Sequence, residues 1–412
     1  IDNVYKSNDS SILIIMSSTY EANKLYNSIL PYNENALLFL MDDFLTSEAS
    51  IESFELTTTR IETLNEVVFN KDKKIVITNL MGALRFLPEK SVWKESAVIV
   101  KVGEEIEKES IIKKLCNTGY NIETLVTKTG ELSNRGYILD IFPINEENPI
   151  RIEFFDNEVE SIRHFDIDTQ LSKKELKEVK IYPFSEFLCF EEVEESIRKQ
   201  KYLQNYSKVS SILEYLNSPI LIMKNYMQIY NSYLLLAEDI LEYKKQNEEN
   251  LKYMHELGKI SAKMRIHICS IDNLLPSVKI DRTDKYDSYD APNYNDDFNK
   301  LTKDLKLFIQ KKMTVIIALR SKHQVENVEK YLDIPVYKTD YENIKENKIN
   351  LIVKPITNGY IIENLVVLSE ANLFRFNERP IISKSKFKKG IKIANSDALN
   401  IGDYVVHNIY GI

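Results

Sequence analysis

Three cysteines, ten glycines and one tryptophan are spread over 412 residues, and each shortage excludes something. Cys116, Cys189 and Cys269 are odd in number and far apart, which fits reduced thiols and a cytoplasmic home better than a disulfide framework. Five scattered histidines give no metal-ligand spacing. Apolar runs such as "ILIIM" and "ALLFLM" fall far short of the roughly 20 residues that a membrane helix needs, so no membrane association is expected. No signal peptide is legible, and a start at Ile1 without methionine reads as an excised piece of a longer chain. Acidic residues outnumber basic ones by 62 to 54, and the net charge of −8 argues against a chain whose surface as a whole grips a phosphate backbone.

The usual signatures of catalysis are missing as well. A phosphate-cradling loop needs closely spaced glycines and a Lys-Ser or Lys-Thr pair opening a helix, and no such string occurs. The strand-like "PILIMKNY" ends in Lys224 and Asn225, where an ATPase would carry an acidic pair for Mg²⁺. Gly-x-Ser-x-Gly, His-Glu-x-x-His and Cys-x-x-Cys are absent. Asp42 and Asp43 are adjacent carboxylates, but neighbours on an extended segment face opposite ways, and a solvated loop is the simpler reading. Tyr404 and His407 read as strand residues. No catalytic residue, metal ligand or cofactor-binding residue is therefore assigned.

What is present alternates. "SSILIIMS" reads as a buried strand leading into a helix on which Ala22, Leu25, Tyr26 and Ile29 share a face, with Ser18 and Glu21 as a capping box. "ALLFLM", "KKIVIT" and "SAVIVKV" are further apolar runs, with helical patterns near 54–68 and 79–86. Together they imply a parallel α/β sheet. Near residue 97 the texture changes: a helix near 106–119 precedes a stretch dense in β-branched and aromatic residues, ending near "VKIYPFS". Residues 190–258 read as mainly helical, with "SPILIMK" and "RIHICSI" as strands. The polar "DRTDKYDSYDAPNYNDD" reads as a linker. Beyond it, "TVIIALRSKHQVENVEKYL" (a helix capped by Ser321 and Gln324), "INLIVKPI" and "NLVVLSE" outline a compact α/β unit. The basic "SKSKFKKGIK" is either a solvated tether or a nucleic-acid contact.

The most informative stretch is "PIRIEFFDNEVESIR", residues 149–163. Asp156-Asn157 marks a hairpin turn. Alternation places Ile150, Ile152 and Phe154 on one face, a set suited to a core, and Arg151, Glu153 and Phe155 on the other. A phenylalanine sharing its side with an arginine has the composition of a binding hot spot. It also fits a ring that merely covers the turn. Arg151 can serve a partner, pair across the sheet with a carboxylate such as Glu160, or do both. Gly136, after Arg135, suits a close backbone approach or a bend.

"NRGYILDIFPINEENPIRIEFFDNEVESIRHFDIDTQLS" closely resembles the segment shared by UvrB and the bacterial transcription-repair coupling factors, the Mfd family. "NIGDYVVHNIYGI" resembles the opening of that family's CarD-like RNA-polymerase-interaction module, which UvrB lacks. The resemblance is strong at 131–172 and 399–412 and rests on pattern elsewhere. It implies an α/β multidomain chain. A degenerate P-loop or RecA-like parallel sheet, discontinuous in sequence at 1–96 and 184–290, would hold an inserted α+β hairpin domain at 97–183. A small α/β domain of unknown role at 291–374, a linker at 375–396 and the start of the polymerase module at 397–412 would follow. The family displaces stalled RNA polymerase with an ATP-driven double-stranded DNA translocase and recruits UvrA to nucleotide excision repair. ATP, Mg²⁺ and the motor would lie beyond residue 412, so the fragment is expected to be an interaction module without enzymatic activity. The alternative is a UvrB-like ATPase or DNA-remodelling domain active by itself. "MDDFLTSEASIESFELTTTR" looks too compact for UvrB's damage-probing hairpin. The resemblance places UvrA binding at Arg135, Arg151 and Phe155, with Glu153 and Arg163 as candidates for the same surface. It also implies masking of that surface by a C-terminal domain, and contact with polymerase only through the module after Asp397.

Overall fold

The computed structural model describes residues 1–42, 53–188, 200–206, 208–248, 250–269 and 280–375. Asp43, Cys189, the 376–396 part of the basic tether and the 397–412 segment with Tyr404 and His407 lie outside the described residues. Two compact units emerge: Ser96–Ser185 forms one, and the described residues before and after it form the other.

In the larger unit, five parallel strands lie in the order Met264–Ile268, Ile220–Lys224, Ile12–Met16, Ile75–Asn79, Ala36–Phe39. All five residues of the central strand Ile12–Met16 are buried, as expected where helices cover both faces of a parallel sheet. Its following helix, Thr19–Ile29, begins at Ser18, whose hydroxyl accepts the Glu21 N–H at 3.2 Å. The helix Phe54–Phe69 begins in the same way at Ser53.

Behind this sheet a buried charge cluster ties distant segments together. Glu186 accepts from Arg60 at 3.0 and 3.1 Å and from Arg85 at 2.7 Å, and Arg60 also donates to the Leu40 carbonyl at 2.9 Å. All three side chains are essentially inaccessible to water. Burial alone would push the Glu186 carboxyl up. The two guanidinium charges outweigh it and hold the carboxyl below its usual range.

Residues 288–373 build a second, mixed sheet with its own core around Val315, Ile317, Leu351 and Leu368. The strands Tyr337–Lys338, Ile349–Val353, Thr314–Leu319 and Leu365–Ser369 run parallel, and Tyr360–Ile362 and Ser288–Asp290 close one edge antiparallel. The expected linker at "DRTDKYDSYDAPNYNDD" needs correction. Its middle is the edge strand Ser288–Asp290, Ala291 and Tyr294 are buried, and Asp297 caps the next helix by accepting the Lys300 N–H at 2.9 Å. The polar composition misled because the backbone is satisfied from elsewhere: Asn372 donates from its side chain to the Ala291 carbonyl and accepts the Tyr294 N–H at its own carbonyl.

The smaller unit is a six-stranded sheet in the order Ser172–Leu176, Glu158–Phe165, Ile150–Phe155, Ile138–Ile141, Glu131–Arg135, Asn121–Ile122. The helix Lys108–Asn117 contributes Ile111 and Leu115 to the same core. "SAVIVKV" also corrects an expectation. Val98–Lys101 does not join the parallel sheet but pairs antiparallel with Glu178–Ile181 inside this unit. Its alternately buried and exposed residues are the mark of a half-covered strand, unlike the uniformly buried Ile12–Met16. Gly119 (φ 100°) lies so close to the Phe184 backbone that a Cβ there would sit 2.9 Å from it.

Candidate functional site

The strand Ile150–Phe155 behaves as alternation predicts on its inner side. Ile150, Ile152 and Phe154 are buried in the core with Leu139, Ile141 and Ile162. The turn after it forces the next ring out. Asp156 takes a left-handed φ of 56°, the chain reverses in two residues, and Phe155 stands 73% exposed opposite Glu158.

Register brings the other expected residues onto that same outer face. Arg135 lies opposite Ile138, Ile138 opposite Glu153, and Glu153 opposite Ser161. One row further along, Ser133, Asp140, Arg151 and Arg163 follow one another across four strands. Strand parity could not decide which way Arg135 faces, and the register does. Arg135 and Arg151 converge on the one carboxylate of Asp140. Arg151 donates to it at 2.7 Å from Nε and 2.8 Å from Nη2, and Arg135 donates to Oδ2.

The two arginines differ in availability. Asp140 is 2% exposed and Arg151 13%, whereas Arg135 is 41% exposed. Arg151 also donates to Gln170 at 2.9 Å and lies over the Phe165 ring at 4.5 Å. The Asp140 hydrogen bonds hold its guanidinium further above its already high usual value. Arg151 is thus a buttress, and Arg135 is the presented cation.

The suggested Arg151–Glu160 pair does not form. A bulge between Val159 and Ser161 leaves Glu160 out of register, and the residue opposite Arg151 is Arg163. Two like charges face to face would destabilise the sheet. Each has its own carboxylate instead, Asp140 for Arg151 and Glu153 for Arg163, with the Arg163 Nη1 at 2.9 Å from Glu153 and a second Nη2 contact. Burial pushes the Glu153 carboxyl up, but hydrogen bonds from Ser161 and Arg163 outweigh it and hold it low. Gly136 turns with φ 56° in open space, so it serves the bend and not a close approach.

Two residues escaped the sequence reading. Asp140 is the hub, and its signal was present as an acid amid "YILDI", but its partners depend on a register that local pattern does not carry. Tyr137, in the neighbouring turn, is as exposed as Phe155, and its carbonyl accepts the Phe154 N–H at 2.9 Å.

The larger unit has a second place of interest, the crevice at the carboxyl ends of its parallel strands, where such sheets hold nucleotides. Here side chains of the unit itself pair with one another. Glu21 in the first turn of Thr19–Ile29 accepts from Ser17 at 2.8 Å and from Lys224 at 3.1 Å. Burial pushes that carboxyl up, and the Ser17 and Lys224 hydrogen bonds bring it below its usual range. Asn79 bonds Thr19, Gly82 and the Met41 backbone. The positive end of the helix thus already has an anion. Among the described residues no cluster of three potential metal ligands occurs, and no helix is long and apolar enough to cross a membrane.

Residues 98–187 match the UvrB interaction domain. The chain is 24% identical to the transcription-repair-coupling factor of Staphylococcus epidermidis over 99% of its own length and 40% of that protein's. It is 25% identical to the factor of Staphylococcus aureus (99% and 40%). For Bacillus subtilis the figures are 25% identity, 97% and 39%. The chain spans about 40% of the length of these curated relatives. Along nearly its whole length the chain is similar to transcription-repair-coupling factors, and the match to the UvrB interaction domain falls within that likeness.

Proposed function

We propose that this chain is the UvrA-recruiting part of a transcription-repair coupling factor. The observation that carries the reading is Phe155, exposed on the sheet face that bears the Arg135–Asp140–Arg151 cluster, within the stretch that matches the UvrB interaction domain. An exposed ring and a planar cation held by its carboxylate, on one face of a sheet, have the composition of a hot spot. Phe155 and Arg135 touch the partner in this reading. Arg151 holds Arg135's carboxylate in place, and Glu153 with Arg163 stiffens the adjoining row.

Calorimetric titration with purified UvrA tests this. Phe155→Asp weakens capture by about 30-fold or more, equivalent to about 2 kcal/mol, with unchanged melting, and Arg135→Gln, which leaves Asp140 paired with Arg151, weakens it in the same direction. Arg151→Glu is a poorer probe, because it sets a carboxylate against buried Asp140. Wild-type affinity in the first two variants refutes the assignment.

The larger unit is, in the same reading, a degenerate RecA-like nucleotide-binding fold, split in sequence by the smaller unit and without ATPase activity. The Glu21–Lys224 pair at the crevice supports this. Saturable binding of Mg·ATP by the chain would favour instead a UvrB-like ATPase. The parent protein's ATP-driven translocation on double-stranded DNA, its engagement of RNA polymerase through the module after Asp397, and the masking of the docking face by a C-terminal domain complete the proposal.

A further inference from the structure

Beyond the turn that presents Phe155, the sheet gains a short extra edge from residues 103–106. Gly103 donates to the Val159 carbonyl at 2.8 Å, Val159 to Glu104 at 3.0 Å, and Ile106 to Asn157 at 2.8 Å. Glu105 thereby becomes the antiparallel bridge partner of Glu158, which is itself opposite Phe155. Opposed residues of antiparallel strands share a face. Phe155, Glu158 and Glu105 therefore form one row on the outer face that also bears Arg135. Both glutamates are exposed, as are Glu104 and Asp156 beside them. Lys108, the first cation to follow on that segment, is spent on the Gly136 carbonyl.

Two carboxylates directly opposite one another work against the sheet that holds them. Such a pair is compensated when a cation arrives from outside. We infer that Glu105 and Glu158 are the acidic flank of the docking face, and that they select a partner surface carrying a basic side chain, arginine or lysine, next to the cleft that receives Phe155. The face is then polar in a defined sense: a cation, Arg135, on one side of the ring and two acids on the other. A partner docks in one orientation only, with a carboxylate toward Arg135 and a base toward Glu105 and Glu158.

The inference rests on UvrA being the partner, and its test separates the two claims. Association of the chain with immobilised UvrA is followed at several salt concentrations. Glu105→Lys/Glu158→Lys slows association about tenfold and flattens its salt dependence, as reversal of steering charges does. Glu105→Gln raises the melting temperature slightly while slowing association. If Phe155→Asp abolishes capture but the glutamate variants associate like wild type or faster, the acidic flank is wrong and the UvrA reading stands. If the wild-type chain does not bind UvrA at all, both fall.

Discussion

Asp140→Asn changes one atom's identity and nearly no volume, yet it removes the carboxylate charge that Arg151 and Arg135 share. Breaking a buried ion pair by neutralising one partner costs about 3–5 kcal/mol when the other is left without compensation. Arg151 is not left bare. It keeps its 2.9 Å bond to Gln170 and its place over the Phe165 ring, and 13% of its side chain reaches water. The cost therefore falls toward the lower end, about 2–3 kcal/mol. For a domain of this size that corresponds to a drop of roughly 10–20 °C in the unfolding transition of the smaller unit. Scanning calorimetry of the chain reads this directly, and amide exchange at residues 138–165 assigns the transition to this sheet. UvrA affinity should fall too, although Asp140 is inaccessible, because Arg135 loses its anchor. In a double-mutant cycle, Arg151→Met added to Asp140→Asn should cost little more than either alone. A transition within about 1 °C of wild type, or strictly additive effects, would show that Asp140 organises nothing.

The buried cluster in the larger unit makes a second prediction. Glu186→Gln should destabilise that unit by about 3 kcal/mol or more at neutral pH, measured by its unfolding transition. Because the Glu186 carboxyl is held low, its contribution is complete above the ordinary glutamate value of about 4.3 and is lost as pH falls through the depressed folded value. The variant should therefore lose less stability than wild type on acidification. Gly119→Ala should cost about 2 kcal/mol or more, since φ is 100° and the new Cβ would meet the Ser185 side chain at 2.6 Å. Gly136→Asn should change stability by less than about 0.5 kcal/mol, because asparagine tolerates φ 56° and the surrounding space is open.

What the sequence revealed was whatever depends on near neighbours. Ile12–Met16 was legible from its unbroken apolar run, the caps at Ser18 and Ser321 from spacing alone, and the outward Phe155 from alternation and an Asp-Asn turn. What it hid depends on which strand lies beside which. The partner of Arg151 is Asp140 on the preceding strand and not Glu160 on the following one, where a bulge leaves Glu160 without a place in the ladder. Val98–Lys101 looked like another member of a parallel sheet until its partner, eighty residues later in sequence, proved to be Glu178–Ile181. Tyr294 sat in a polar stretch whose burial depends on the side chain and carbonyl of Asn372, far along the chain. The choice of Arg135, Arg151 and Phe155 as proposed docking residues came from resemblance. Their geometry came from pairing across the sheet.

Val98 faces Ile181 in that last pairing, so the chain leaves the smaller unit beside the point where it came in. A unit whose two ends meet in a hydrogen-bonded strand pair can be added to a host at a single break in the backbone without prising the host apart. It can be lifted out in the same way. The unit is thus closed by its own strand pair, whatever its outer face is used for.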